Sequence, residues 1–247
     1  MIWQLTLYFS GGPEGVDAVA EKIEYFTRRL GSLDPRLAAW AFVDPDDNAH
    51  PVEGVAAWRA ALAQCHAPFQ SGARSVDAWQ PRAVVLGRGA NLVEIEATLG
   101  IRLPDFEGLV WVPNRVVVRV LRPWGDDETI RATLDLALRV GIRAFEPVWA
   151  HAGSDDSPHA AMPIFDDGSP IVGWWTYLSR QFPAVAPLAA PAQAFAVGEH
   201  GTLIVAHPAL YAPGDAEHEA AIEAVGDALD AQGLLKPAGS FRREAAT

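Results

Sequence analysis

Apolar and polar positions along the chain alternate in two periods, and the changes between them mark the elements. Ile2 to Phe9 sets Ile2, Gln4, Thr6 and Tyr8 against Trp3, Leu5, Leu7 and Phe9, the period of a strand, and Ser10-Gly11-Gly12-Pro13 closes it. Val16, Val19, Ile23, Phe26 and Leu30 then recur at helical spacing, with Gly31 placed as the stop. A short strand over Ala38–Val43 runs into Asp44-Pro45-Asp46-Asp47, and Val52–Leu62, with Trp58, reads as a second helix. Ala67–Gln80 has no period and reads as a loop.

Ala83–Leu86 and Leu92–Leu99 read as strands around Gly87-Arg88-Gly89. Leu109–Leu121 is the clearest strand, with Val116, Val118 and Val120 alternating against Val117, Arg119 and Leu121. Asp126-Asp127-Glu128 sits where acids favour a helix start, Thr129–Val140 is apolar enough to be buried, and Gly141 reads as its end. A strand over Arg143–Ala150 and a long loop over His151–Pro170 follow. Ala192–Val197 and Thr202–Ala206 form a hairpin, and a final helix spans about Asp215–Ala231. The pattern predicts an α+β protein, mainly antiparallel sheet flanked by helices, in one domain over 1–247. Its order suggests two pseudo-repeated β-α-β-α-β-β halves, 1–105 and 106–240, although the halves share almost no residue identity.

Composition sharpens this picture. Half of the 247 residues are apolar, including 9 Trp and 10 Phe, which suits a folded chain with a sizeable core. Cys65 is the only cysteine, so no internal disulfide can form. Met1–Phe9 lacks a basic region and a cleavage site, and Phe182–Val197 is broken by Pro183, Pro187 and Pro191. A cytoplasmic location is the expectation. The net charge of −12 is uneven: residues 1–50 carry 8 acids against 4 bases and 151–247 carry 12 against 4, while the middle is balanced. Such a field disfavours nucleic acid and anionic membranes and steers basic partners inward.

Candidate chemistry is sparse. Gly87-Arg88-Gly89 is followed by Leu92 where a dinucleotide loop needs its third glycine, no lysine sits in a phosphate-binding loop, and no serine lies in a nucleophile elbow. Cys65 and His66 are sequence neighbours, which on a helix do not face each other. His151, His159, His200 and His207 match no zinc spacing. No metal or cofactor is therefore expected. Asp155, Asp156, Asp166 and Asp167 share the Gly/Ser/Pro-rich loop with His151 and His159. That loop reads as solvated surface, as an acidic contact for a basic partner, or as the seat of a hydrolase of unknown substrate. Glu219, Glu223, Asp227 and Asp230 fall within about 80° on the last helix, opposite Ile222, Val225 and Leu229, a wet face beside a core face. A scaffold subunit is a third class that the tryptophan content permits.

At Gly173-Trp174-Trp175-Thr176-Tyr177-Leu178-Ser179 the chain resembles the immunity protein 52 family of bacterial polymorphic toxin systems. Trp111-Val112-Pro113 and Gly233-Leu234-Leu235-Lys236-Pro237 add to the likeness, which extends over roughly 1–240. A type VI secretion immunity family is the runner-up. The resemblance implies an α+β immunity protein, not an enzyme, that binds a cognate toxin, often a restriction-endonuclease-like DNase delivered by type VI secretion. No catalytic residue comes with it. Of Trp174, Trp175 and Tyr177, two are expected in the core. Asp155, Asp156, Asp166 and Asp167 are the expected partner-binding residues.

Overall fold

The protein is described by a computed structural model covering residues 1–9, 15–71, 74–85, 92–99, 114–154 and 169–236. Its strands are β1 (Ile2–Phe9), β2 (Trp40–Val43), β3 (Ala49–Val52), β4 (His66–Ser71), β5 (Arg74–Trp79), β6 (Arg82–Val85), β7 (Val93–Thr98), β8 (Asn114–Leu121), β9 (Trp149–Ser154), β10 (Trp175–Ser179), β11 (Gln193–Val197) and β12 (Gly201–Val205). The helices are α1 (Val16–Leu33), α2 (Gly54–Gln64), α3 (Asp127–Phe145) and α4 (Ala216–Ala231). Ten strands form one antiparallel sheet in the order β11-β12-β10-β9-β1-β8-β7-β6-β2-β3, and β4-β5 is a separate hairpin.

At the centre lies the pairing of β1 with β8, Trp3 opposite Val120 and Leu7 opposite Val116. The other neighbour of β1 is β9, with Tyr8 opposite Trp149. The first strand is thus enclosed by two strands from the second half, and β8 joins it to β7. Both faces of β1 are covered, which explains why Thr6 and Tyr8 are buried along with Leu5 and Leu7.

Helices α1, α2 and α3 lie over the face that carries Leu5, Leu7, Phe9 and, on β8, Val116 and Val118. Phe145 of α3 stacks on Phe9 at 5.5 Å and meets Phe26 of α1 at 5.3 Å. Asp126 starts α3, its carboxylate accepting from Thr129 N at 2.9 Å, as the acidic run predicts. Helix α4 serves the opposite face at the C-terminal end of the sheet, where Ile222 joins Gln4, His151 and Gly153 around a small cavity. Asp215 caps α4 by accepting from Glu217 N and His218 N. The indole of Trp3 donates to Tyr211 O at 2.9 Å, tying β1 to the approach of α4.

Several expectations give way. Gly31 and Gly141 lie inside helices rather than at their ends. A Cβ on Gly31 would sit 2.7 Å from Ala38 Cα, and one on Gly141 2.4 Å from Leu7 Cδ1. Each glycine allows a close crossing, which the sequence shows in the same letter as a stop. The expected loop over 67–80 holds the β4–β5 hairpin, and the strand expected over Arg143–Ala150 starts at Trp149 because α3 runs on to Phe145. Neither β3 nor β10 follows an alternating pattern. Among the described residues the elements of 1–105 run β-α-β-β-α-β-β-β-β and those of 106–240 run β-α-β-β-β-β-α. The Gly87 turn lies outside the described residues.

Candidate partner-binding surface

The Gly173–Ser179 segment is built into the core. Trp174, Trp175 and Tyr177 are all buried, one more than the sequence suggested. The Trp174 and Trp175 rings stack at 4.4 Å, and the Trp174 indole donates to His207 O at 2.8 Å. Tyr177 donates its hydroxyl to His200 O at 2.9 Å, pinning β10 to the β11–β12 turn; burial pushes its pKa up to about 12. Gly173 precedes these rings because a Cβ there would lie 2.4 Å from Ala152 O. These residues position the strands and offer no exposed reactive group.

His151 was expected in the loop with His159. It belongs to β9, between Thr6 and Thr176 of the adjoining strands. Tyr8 stacks on Trp149 at 3.8 Å, and the His151 ring lies 5.7 Å from Tyr8 and 5.9 Å from Trp149. Burial drives the His151 pKa down to about 4, and its Nδ1 has no hydrogen-bond partner among the described residues. It is a neutral core imidazole, held apart from solvent. His159 lies outside the described residues.

Asp155, Asp156, Asp166 and Asp167 also lie outside the described residues. The described residues that flank them do not: Ser154 and Ile171 line the small cavity with Ile222 of α4. On that helix Glu223, Asp227 and Asp230 are exposed, whereas Glu219 is half-buried and bonded to the Tyr211 hydroxyl. The acidic stripe of four is thus an exposed group of three.

Sequence reading missed a second surface. Between α3 and the sheet opens a groove of about 610 Å³, floored by Trp175, Leu203 and Val205 and edged by Phe195, Arg131 and Arg139. Arg131 donates to Pro208 O at 2.9 Å and Arg139 pairs with Asp135 at 2.7 Å. Phe195 was legible as a strand residue, but nothing in the sequence places its strand at the sheet edge. Among the described residues no cluster of His, Cys, Asp and Glu is arranged to hold a metal ion, and no helix is long and apolar enough to cross a membrane.

With this geometry in hand, one comparison bears on function. Residues 127–238 match the model of the immunity protein 52 family. That span starts at the first residue of α3 and runs past α4, so it contains the groove's helical wall, the buried Trp-Trp-Tyr segment and the acidic segment. The matched residues include Gly173–Ser179, where the sequence resembles that family. The fold of the whole chain is similar to that of the Pseudomonas aeruginosa T6SS protein PA0821, with a TM-score of 0.51 and 15% identity over 96% of this chain and 77% of that one. That likeness is one of fold. No curated protein matches the sequence.

Proposed function

We propose that this chain is an immunity protein, one domain over 1–247, that binds and neutralises a cognate antibacterial effector by stoichiometric inhibition in the cytoplasm. The immunity protein 52 match over residues 127–238 carries this reading. The effector is a nuclease of the restriction-endonuclease-like class, delivered by type VI secretion and recognised through its basic DNA-binding surface. No cofactor and no catalysis enter: the chain acts by occupying the toxin.

The contact is assigned to Asp155, Asp156, Asp166 and Asp167, extended by Glu223, Asp227 and Asp230 of α4. A nuclease presents Arg and Lys to phosphates, and carboxylates on one face are their natural substitute. The three exposed acids of α4 add a second group of the same sign. The hydrolase alternative loses support, because burial withdraws His151 from the loop it was to serve.

The test uses the toxin encoded beside this gene. Co-expression should rescue growth, and the pair should co-purify at one to one. Reversing the four loop aspartates to Lys should slow association and reduce its dependence on salt, and reversing the three α4 acids should act in the same direction. Single reversals should change little, since exposed pairs are worth about 0–1 kcal/mol. Unaltered association in both sets of reversals would remove charge complementarity as the mechanism; absence of rescue by the wild type would remove the immunity reading itself.

A further inference from the structure

The two edges of the ten-stranded sheet differ. At one end β3 is blunted: Pro51 lacks a backbone donor, and the adjoining turn carries Asp44 paired with His50 at 2.7 Å. At the other end β11, Gln193-Ala194-Phe195-Ala196-Val197, has no proline and no charge. Among the described residues its only sheet partner is β12, and its other row of backbone donors and acceptors pairs with no described strand. Phe195 is 47% exposed, the only exposed large aromatic side chain among the described residues.

An edge of this kind accepts another strand, and the sequence of β11 favours a second copy of itself. The chain carries a net charge of −12, so two copies repel over most of their surface. At β11 itself neither copy brings a charged side chain to the seam. The strand is also nearly symmetric about its centre: antiparallel pairing around Phe195 sets Phe195 against Phe195, Ala194 against Ala196, and Gln193 against Val197. The two phenyl rings meet on the groove face, and only alanines meet on the other. We propose that β11 is a self-association edge, through which two copies of this chain join their sheets about a twofold axis at Phe195. Five residues per copy bury well below the roughly 1,200–2,000 Å² of a permanent interface, so the association is reversible and concentration-dependent. The inference is independent of the immunity reading.

Sedimentation velocity of the full chain over a concentration series should show a monomer–dimer equilibrium. F195D, at an exposed position, should shift it to monomer by at least tenfold in dissociation constant with an unchanged melting temperature. Register is read by cysteine cross-linking in a C65S background. A mixture of A194C and A196C chains should form a disulfide-linked heterodimer, whereas either variant alone should not. A monomer at every concentration overturns the proposal, as does a dimer that survives F195D. If amide exchange at 193–197 slows only on adding the neighbouring toxin, the edge serves the toxin and self-association is wrong.

Discussion

Gly141 of α3 lies against Leu7 of β1 so closely that a Cβ on the glycine would stand 2.4 Å from the Leu7 Cδ1 atom. Leu7 is fully buried, so a shift of its side chain must displace the core packed around it. Glycine costs a helix interior about 1 kcal/mol relative to alanine, and here that cost secures the helix-to-sheet crossing. G141A should therefore destabilise by about 1–3 kcal/mol despite its better propensity. G31A should be worse, because its neighbour at 2.7 Å is the Ala38 backbone. Gly226 in α4 has nothing within 4 Å of its missing Cβ, so G226A should stabilise by about 0.5–1 kcal/mol. Chemical denaturation of the three variants checks the ordering; a stabilised G141A would show that Leu7 has room to move.

Trp175 tests the core assignment of the immunity protein 52 segment. Its ring is buried and stacked on Trp174, so W175A should cost about 3–5 kcal/mol. Loss of toxin binding at unchanged thermal stability would make the segment an interface anchor instead.

His151 makes stability depend on pH. Its folded pKa is about 4, below the ordinary 6.5, so the unfolded chain binds its proton more readily than the folded one. The contribution is fully present above pH 6.5 and is lost as pH falls towards 4, to the extent of on the order of 3 kcal/mol. H151F should flatten that part of the stability–pH curve. An identical curve for wild type and H151F would mean that an acceptor holds the proton on the folded ring, so that folding leaves its pKa at the ordinary value.

Cys65 provides a probe of opening. Burial pushes its thiol up to about 11, so at pH 8 only about one molecule in a thousand carries the thiolate. Alkylation of the native chain should be slow and should accelerate with denaturant in step with the loss of helical signal. Fast modification without denaturant would contradict the half-buried position.

The elements legible in the sequence are those with one wet and one dry face, or a strong cap. Helices α1 and α4 have such faces, Asp126 signals the start of α3, and Gly198 to Gly201 gives away the terminal hairpin. Strand β10 was missed because all five of its residues are buried, leaving no alternation to read. Strand β9, Trp-Ala-His-Ala-Gly-Ser, is too small and polar to look like the inner strand it is. Strand β3 is short, exposed and interrupted by Pro51, the signature of an edge. On the functional side, the Trp-Trp-Tyr segment was legible as a family mark because it is chemically unusual. The groove was not, because Trp175, Leu203 and Phe195 come together only when β10 and β12 pair.

The central pairing of β1 with β8 also sets a timetable. Met1 leaves the ribosome first, yet both strands that flank β1 lie beyond residue 113. At about 5–20 residues per second, β1 waits several seconds for its first partner and longer for its second. During that interval a nascent chain has Trp3, Leu5 and Leu7 without a sheet to join. Under the immunity reading, protection of the cell cannot begin before β9 has emerged and paired, so a reserve of folded chains must precede the toxin's arrival.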